Sequence, residues 1–162
     1  MKISKKLLSL GLTLSLFIIN TPNVDAAVSS IERIQGNDYY ETSVKVAEKQ
    51  NYSTAIILNA DTTIADGLSA SGLSGTVDAP ILLTSKDNIP TSVFNKLSGV
   101  KKVYIIGGTA SVSQKVENKI KSKGIEVKRI GGSDRIETSY NVAKEISSIK
   151  PIKKIMLANA YK

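Results

Sequence analysis

Arg129 opens the run RIGGSDRIETSYNVA, and Arg33 opens RIQGNDYYETSVKVA, the same pattern 96 positions earlier. Nine of the fifteen positions are identical, among them the arginine, a glycine, an aspartate, a glutamate, a threonine and a serine. Such a set could bind an anion. A guanidinium grips phosphate or carboxylate through paired N–H groups, and the amides at a helix start, with the hydroxyls of Thr138 and Ser139, suit a phosphate. An architectural reading explains most of the run. Asp38 and Asp134 are placed as helix N-caps, Glu41 and Glu137 follow three residues later as capping-box partners, and Gly131-Gly132 permits the turn between them. Neither turn nor cap chemistry requires Arg33 or Arg129, which can pair with the capping aspartate or contact a ligand. Arg135 adds charge in the second copy where Tyr39 stands in the first, so the copies are not equivalent binders.

Catalysis finds little to work with. The chain has no histidine and no cysteine, which removes the commonest general base and excludes HExxH and Cys-His constellations. Any nucleophile and base would come from serine, lysine and carboxylates, and the spacing of Asp61 and Asp66 does not match a DxD metal site. IIGGTASVS from Ile105 lacks both the dinucleotide fingerprint and the P-loop lysine, and fits a tight strand-to-helix turn capped by Ser111. The expectation is a protein without catalytic residues, metal or cofactor.

The elements that position these residues alternate. Ala55 to Leu58, Pro80 to Thr84, Lys102 to Gly107, Glu126 to Ile130 and Lys154 to Ala158 have strand length and an apolar content suited to burial on both faces. Between them lie crossover-length segments. From Ser111 to Lys123, Val112, Val116 and Ile120 fall at helical spacing, Ser111 with Gln114 suggests a capping box, and Gly124 is the stop. The small residues of Asp61 to Gly75 suit a helix lying close on a sheet. This alternation implies an α/β domain with a mostly parallel sheet and helices packed over it.

The first 26 residues form a different region. Lys2, Lys5 and Lys6 precede an apolar run from Leu7 to Ile19, and Val24-Asp25-Ala26 offers a small-residue cleavage site, the pattern of a secretory signal peptide. The run is shorter than the roughly 18 to 20 apolar residues that span a bilayer, so no stable membrane anchor is expected. Losing Lys2, Lys5, Lys6 and Asp25 takes the net charge from +8 to +6. A basic secreted protein meets acidic partners, more plausibly wall polymers carrying phosphate or carboxylate than nucleic acid. Residues 28–126 then read as one complete repeat and 127–162 as the start of a second, which could also complete the sheet of the first. A period near 100 residues suits tandem domains.

RIxGxDRxxTS, DGLSAS, APILLT, VYIIGG and the closing RIGG together resemble the cell wall binding repeat 2 family of clostridial-type, non-covalently anchored cell wall proteins. The resemblance covers Ile31 to Lys162, one full repeat and about a third of the next. It implies a Rossmann-like or Toprim-like three-layer domain, tandem copies packed about a pseudo-threefold axis, and anchoring at the cell surface of a Gram-positive bacterium through an anionic, phosphate-containing wall polysaccharide. It links Ile81, Leu82 and Leu83 with polymer binding; from the sequence these are buried strand, so their expected role is indirect. Arg33, Arg129, Arg135, Thr138, Ser139, Asp134 and Asp38 are the expected polymer contacts. Two departures stand out: Tyr39-Tyr40 replaces Arg-Ile, and repeat two is incomplete. A site built between repeats would then need sister repeats or a trimer-like homo-oligomer. An assembly role in a surface layer, without polymer binding, is the alternative.

Overall fold

Four of the five apolar runs become strands of one parallel sheet. The computed structural model describes residues 31–61, 65–155 and 157. The chain divides into two units, Met1–Glu32 and Arg33–Lys162, and the second carries the fold. Its elements run α1 (Tyr39–Ala47), β1 (Thr54–Asn59), α2 (Ala65–Val77), β2 (Ile81–Thr84), α3 (Thr91–Asn95), β3 (Lys102–Ile106), α4 (Gln114–Lys121), β4 (Glu126–Ile130) and α5 (Arg135–Ile149). The strand order is β2-β1-β3-β4, and every pairing is parallel. Both faces of a parallel sheet need cover, and the alternation of side chains along each strand supplies two cores. Ala55, Ile57, Leu82, Val103 and Ile105 pack with Val44, Val93, Val116 and Ile120 on one side. Ile56, Leu58, Tyr104 and Ile106 pack with Ala70, Leu73, Ile130 and Val142 on the other. The result is three layers, with α1, α3 and α4 on one face and α2 and α5 on the other.

The α2–α5 layer depends on small residues. Gly67 leaves a Cβ-sized gap 3.6 Å from Leu58 Cδ2, and a Cβ on Gly72 would stand 3.2 Å from Ile146 Cδ1. The helix thus lies close to the sheet, as its composition predicts, while α5 packs against its flank.

Two expectations fail. The helix expected from Ser111 begins at Gln114, with Ser113 at the N-cap and no side-chain capping bond. The amides of Ser111 and Val112 instead donate to Gly108 O in a turn, and Ser113 N donates to Lys86 O, which holds the chain out of the helix for three more residues. The expected strand from Lys154 to Ala158 is also missing where it can be followed. Lys154, Ile155 and Leu157 are not in a strand, with Ile155 and Leu157 strongly exposed; Met156 and Ala158 lie outside the described residues, as does the leader. Among the described residues no helix is long and apolar enough to cross a membrane.

Candidate functional site

Both copies of the repeated run fold into the same knot of hydrogen bonds. Asp38 is the N-cap of α1, its carboxylate accepting from Glu41 N at 2.6 Å. Glu41 in turn accepts from Asn37 N at 2.7 Å, and Thr42 Oγ1 accepts from Gly36 N at 3.0 Å while donating to Asp38 O at 2.8 Å. In the second copy Asp134 accepts from Glu137 N at 2.8 Å, Glu137 accepts from Ser133 N at 2.7 Å, and Thr138 Oγ1 links Gly132 N to Asp134 O at 3.0 and 2.9 Å. The glycine is dictated by crowding. A Cβ on Gly132 would fall 2.5 Å from Glu137 Cβ, and one on Gly36 would fall 2.5 Å from Thr42 N.

The carboxylates respond to these donors. The Asn37 amide chiefly holds Glu41 below its ordinary range, and the Ser133 hydroxyl and amide do the same for Glu137. Thr138 is buried, with its hydroxyl engaged as both donor and acceptor. Ser139 is exposed and donates to Ile136 O. The knot accounts for four of the nine repeated residues, the glycine, aspartate, glutamate and threonine, through backbone satisfaction alone.

The arginines part company. Arg129 Nε donates to Glu117 Oε2 at 2.9 Å and Nη1 to Gly107 O at 2.9 Å. Nη2 lies 2.7 Å from the same glutamate oxygen, within ion-pair range but off the line of its N–H bonds, so this buried nitrogen has a charge partner and no well-directed hydrogen bond. The partner is therefore Glu117 of α4, not the capping aspartate. Arg33 is exposed and, among the described residues, has no such partner; twelve positions before it stands Thr21 where Arg129 has Glu117.

Other chemistry-bearing side chains gather where the strands end. The two neighbours of β1 follow it in opposite directions, so the carboxyl ends of β1 and β3 flank the topological switch point where open α/β sheets bind ligands. Asp66, at the start of α2, is nearly buried there: its Oδ2 would stand 2.9 Å from a Cβ on Gly107. Burial pushes its carboxyl above the ordinary range, against the pull of Ser111 and Arg135. Asp61 follows β1. Its Oδ1 accepts from Tyr39 OH at 2.7 Å and also from Tyr40 OH, and burial with the Asp61 bond drives the Tyr40 phenol upward. Sequence reasoning treats Tyr39-Tyr40 only as a departure from pattern; the 22-residue separation from Asp61 hides the contact.

Ile81, Leu82 and Leu83 form most of the edge strand β2. Leu82 is fully buried, whereas Ile81 and Leu83 are half-buried and line a shallow groove with Tyr39, Thr42, Ser43 and Val46 of α1. Burial of the whole motif is thus corrected for two of its three residues, because the strand's outer face meets only one helix.

With this geometry in hand, comparison with known proteins is informative. The family model described as cell wall binding domain 2 matches residues 33–117. N-acetylmuramoyl-L-alanine amidase LytC of Bacillus subtilis (strain 168) is 38% identical over 126 residues, 75% of this chain and 25% of that protein. The amidase enhancer of the same organism is 36% identical over 125 residues, 75% of this chain and 17% of its own length. Among solved structures, Cwp6 from Clostridium difficile superposes with a TM-score of 0.67 at 43% identity, covering 72% of this chain and 19% of that one. Cwp8 from Clostridium difficile gives 0.65 at 33% identity, over 69% and 21%. The chain thus spans a quarter or less of each of these relatives.

Proposed function

Because the chain belongs to the cell wall binding domain 2 family, we propose that it is a non-catalytic module that holds a secreted protein on an anionic, phosphate-containing polymer of a Gram-positive wall. The observation that carries this reading is the family match across residues 33–117, joined to the structure of Cwp6 from Clostridium difficile at 43% identity. The basic charge supports an acidic partner. The engagement of Asp134, Glu137 and Thr138 in capping supports a role without chemistry. Residues 1–26 serve as the export signal, 28–126 as one repeat and 127–162 as the start of the next. Within the two copies of the run, Arg33 and Arg135 are the exposed guanidiniums that could meet a phosphate.

Co-sedimentation tests this directly. The purified protein should pellet with native walls at low salt, stay in solution with walls stripped of anionic polymer, and be released as ionic strength rises. Equal binding to stripped walls would overturn the polymer reading.

A second reading, assembly with sister repeats, is favoured by one comparison. Helices α1 and α5 are copies of one sequence with opposite faces covered. Val142 is 1% exposed beneath α2 while its counterpart Val46 is 49% exposed; Val44 is 6% exposed beside β2 while its counterpart Tyr140 is 62% exposed. Each helix therefore has two faces suited to burial, one toward its own repeat and one toward the repeat before it. Val142→Ala should cost about 2 kcal/mol by chemical denaturation, and Val46→Ala less than about 0.5 kcal/mol. A concentration-dependent cost of Val46→Ala would show that a neighbour covers α1 in solution.

A further inference from the structure

The carboxylates that cap the repeated motif weigh against it as a surface for an anion. Around the carboxyl ends of the strands lie Asp38, Glu41, Asp61, Asp66, Asp134 and Glu137. Carboxylates outnumber cations at this end of the sheet, and a polyanion approaching it meets repulsion that Lys45, Lys86 and Arg135 only partly offset. Five of the lysines are neutralised by a carboxylate. Lys45, Lys96, Lys102, Lys121 and Lys128 each sit in an ion pair, with Glu41, Glu48, Glu126, Glu117 and Glu145 respectively. Lys86, Lys101, Lys115, Lys119, Lys123, Lys144, Lys150, Lys153 and Lys154 are exposed and sit in none of these pairs, and of them Lys115, Lys119 and Lys123 fall at i, i+4 and i+8.

These three share one flank of α4 and its C-terminal extension. They recur every four residues, a rise of about 6 Å per step, while Val116 and Ile120 turn into the core and Glu117 turns toward Arg129. Phe94 of α3 lies beside the row. Lys119 Nζ stands 5.0 Å and Lys123 Nζ 4.3 Å from its ring centroid, so the ring holds two ammonium groups in place without neutralising them. A regular, unpaired row of cations flanking a half-buried aromatic ring is suited to a chain that carries phosphates at intervals and apolar sugar or polyol faces between them.

We propose that Lys115, Lys119 and Lys123, with Phe94, form the docking surface for a linear phosphate-bearing polymer. This rests on the wall-polymer reading above and names the surface that would serve it. The repeated motif then folds the module, and α4 meets the ligand.

The test uses two triple variants of the whole protein that remove the same charge, Lys115→Gln/Lys119→Gln/Lys123→Gln and Lys144→Gln/Lys150→Gln/Lys153→Gln. Each is titrated with linear inorganic polyphosphate by NMR and pelleted with native walls at low salt. The α4 triple should weaken both interactions about 10- to 100-fold with an unchanged melting temperature, and the control triple no more than about 3-fold. In the unsubstituted protein, polyphosphate should shift the amides around Phe94 and α4. Equal losses in the two triples, or shifts confined to the strand ends, would overturn the proposal in favour of diffuse attraction or motif binding. Polyphosphate binding through α4 by a protein that ignores native walls would leave the anion surface standing and sink the wall reading. Wall binding untouched by the α4 triple would do the reverse.

Discussion

Aspartate at Ile105 should leave the protein without a cooperative thermal transition. Ile105 is fully buried in the middle of β3, opposite Ile57 on one side and Arg129 on the other. Its side chain enters the core shared with Leu82, Val112 and Val116. Losing a buried isoleucine costs about 2 to 5 kcal/mol, and burying an unpaired carboxyl adds several more even when it takes up a proton. Domains of this size are stable by only about 5 to 15 kcal/mol, so the two terms approach the whole. Circular dichroism on heating would read the result. Ile106→Asp should match it from the opposite face, where Ile106 packs with Leu58 and Leu73. A variant melting within a few degrees of the unsubstituted chain would mean that β3 is not central.

Arg129→Ala should cost about 2 to 3 kcal/mol, below the range of about 3 to 5 for a fully stranded buried charge, because Lys121 stays paired with the glutamate. The substitution takes both the Nε and Nη2 contacts from a glutamate that is 8% exposed and leaves Gly107 O without its donor. Lys121, 2.7 Å from the other glutamate oxygen, limits the damage. Replacing both partners, as Glu117→Leu/Arg129→Met, should recover most of the loss, because an apolar pair has no desolvation cost to offset.

The pH dependence carries its own sign. Burial pushes the Glu117 carboxyl up, but hydrogen bonds from Lys121 and Arg129 outweigh it and hold the group below its ordinary range. A folded value below the unfolded one, about 4.3, means the contribution is present above that pH and disappears as pH falls through the folded value. The stability gap between the unsubstituted protein and Arg129→Ala should therefore be widest near neutrality and narrow in acid. A gap that stays constant with pH would show that the guanidinium acts by packing alone.

The central strands were legible because their burial is two-sided. Four apolar runs became β1 to β4, and two-sided burial holds for β1 and β3; Glu126–Ile130 kept its sequence-derived bounds although, as an edge strand, it buries only Ile130 and misses the expected burial on both faces. Helix starts were legible where a side chain caps them, as at Asp38 and Asp134. They were not where a backbone turn delays the helix, as between Gly108 and Ser113. The five residues of α3 are too few to show a period. The site was less readable still. Glu117 as the partner of Arg129, and Asp61 beneath two tyrosines, are facts of topology. The repeated arginine read alike at both positions, open to structural pairing or ligand contact, and the fold gives its two copies different surroundings.

The edge of the sheet at β2 carries a consequence for life at high local concentration. An edge strand with free amides is a template on which another chain can add, and such addition propagates. Here Leu83 N donates to Ser43 Oγ at 3.2 Å, and that hydroxyl donates onward to Tyr40 O at 2.7 Å, so α1 occupies an outward-facing amide that a foreign strand would use first. The counterpart Ser139 makes the equivalent bond within its own helix, to Ile136 O. At high local concentration, α1 is a stopper against runaway strand addition as well as a packing element. Loosening it would show first as fibril or aggregate growth from an otherwise folded domain.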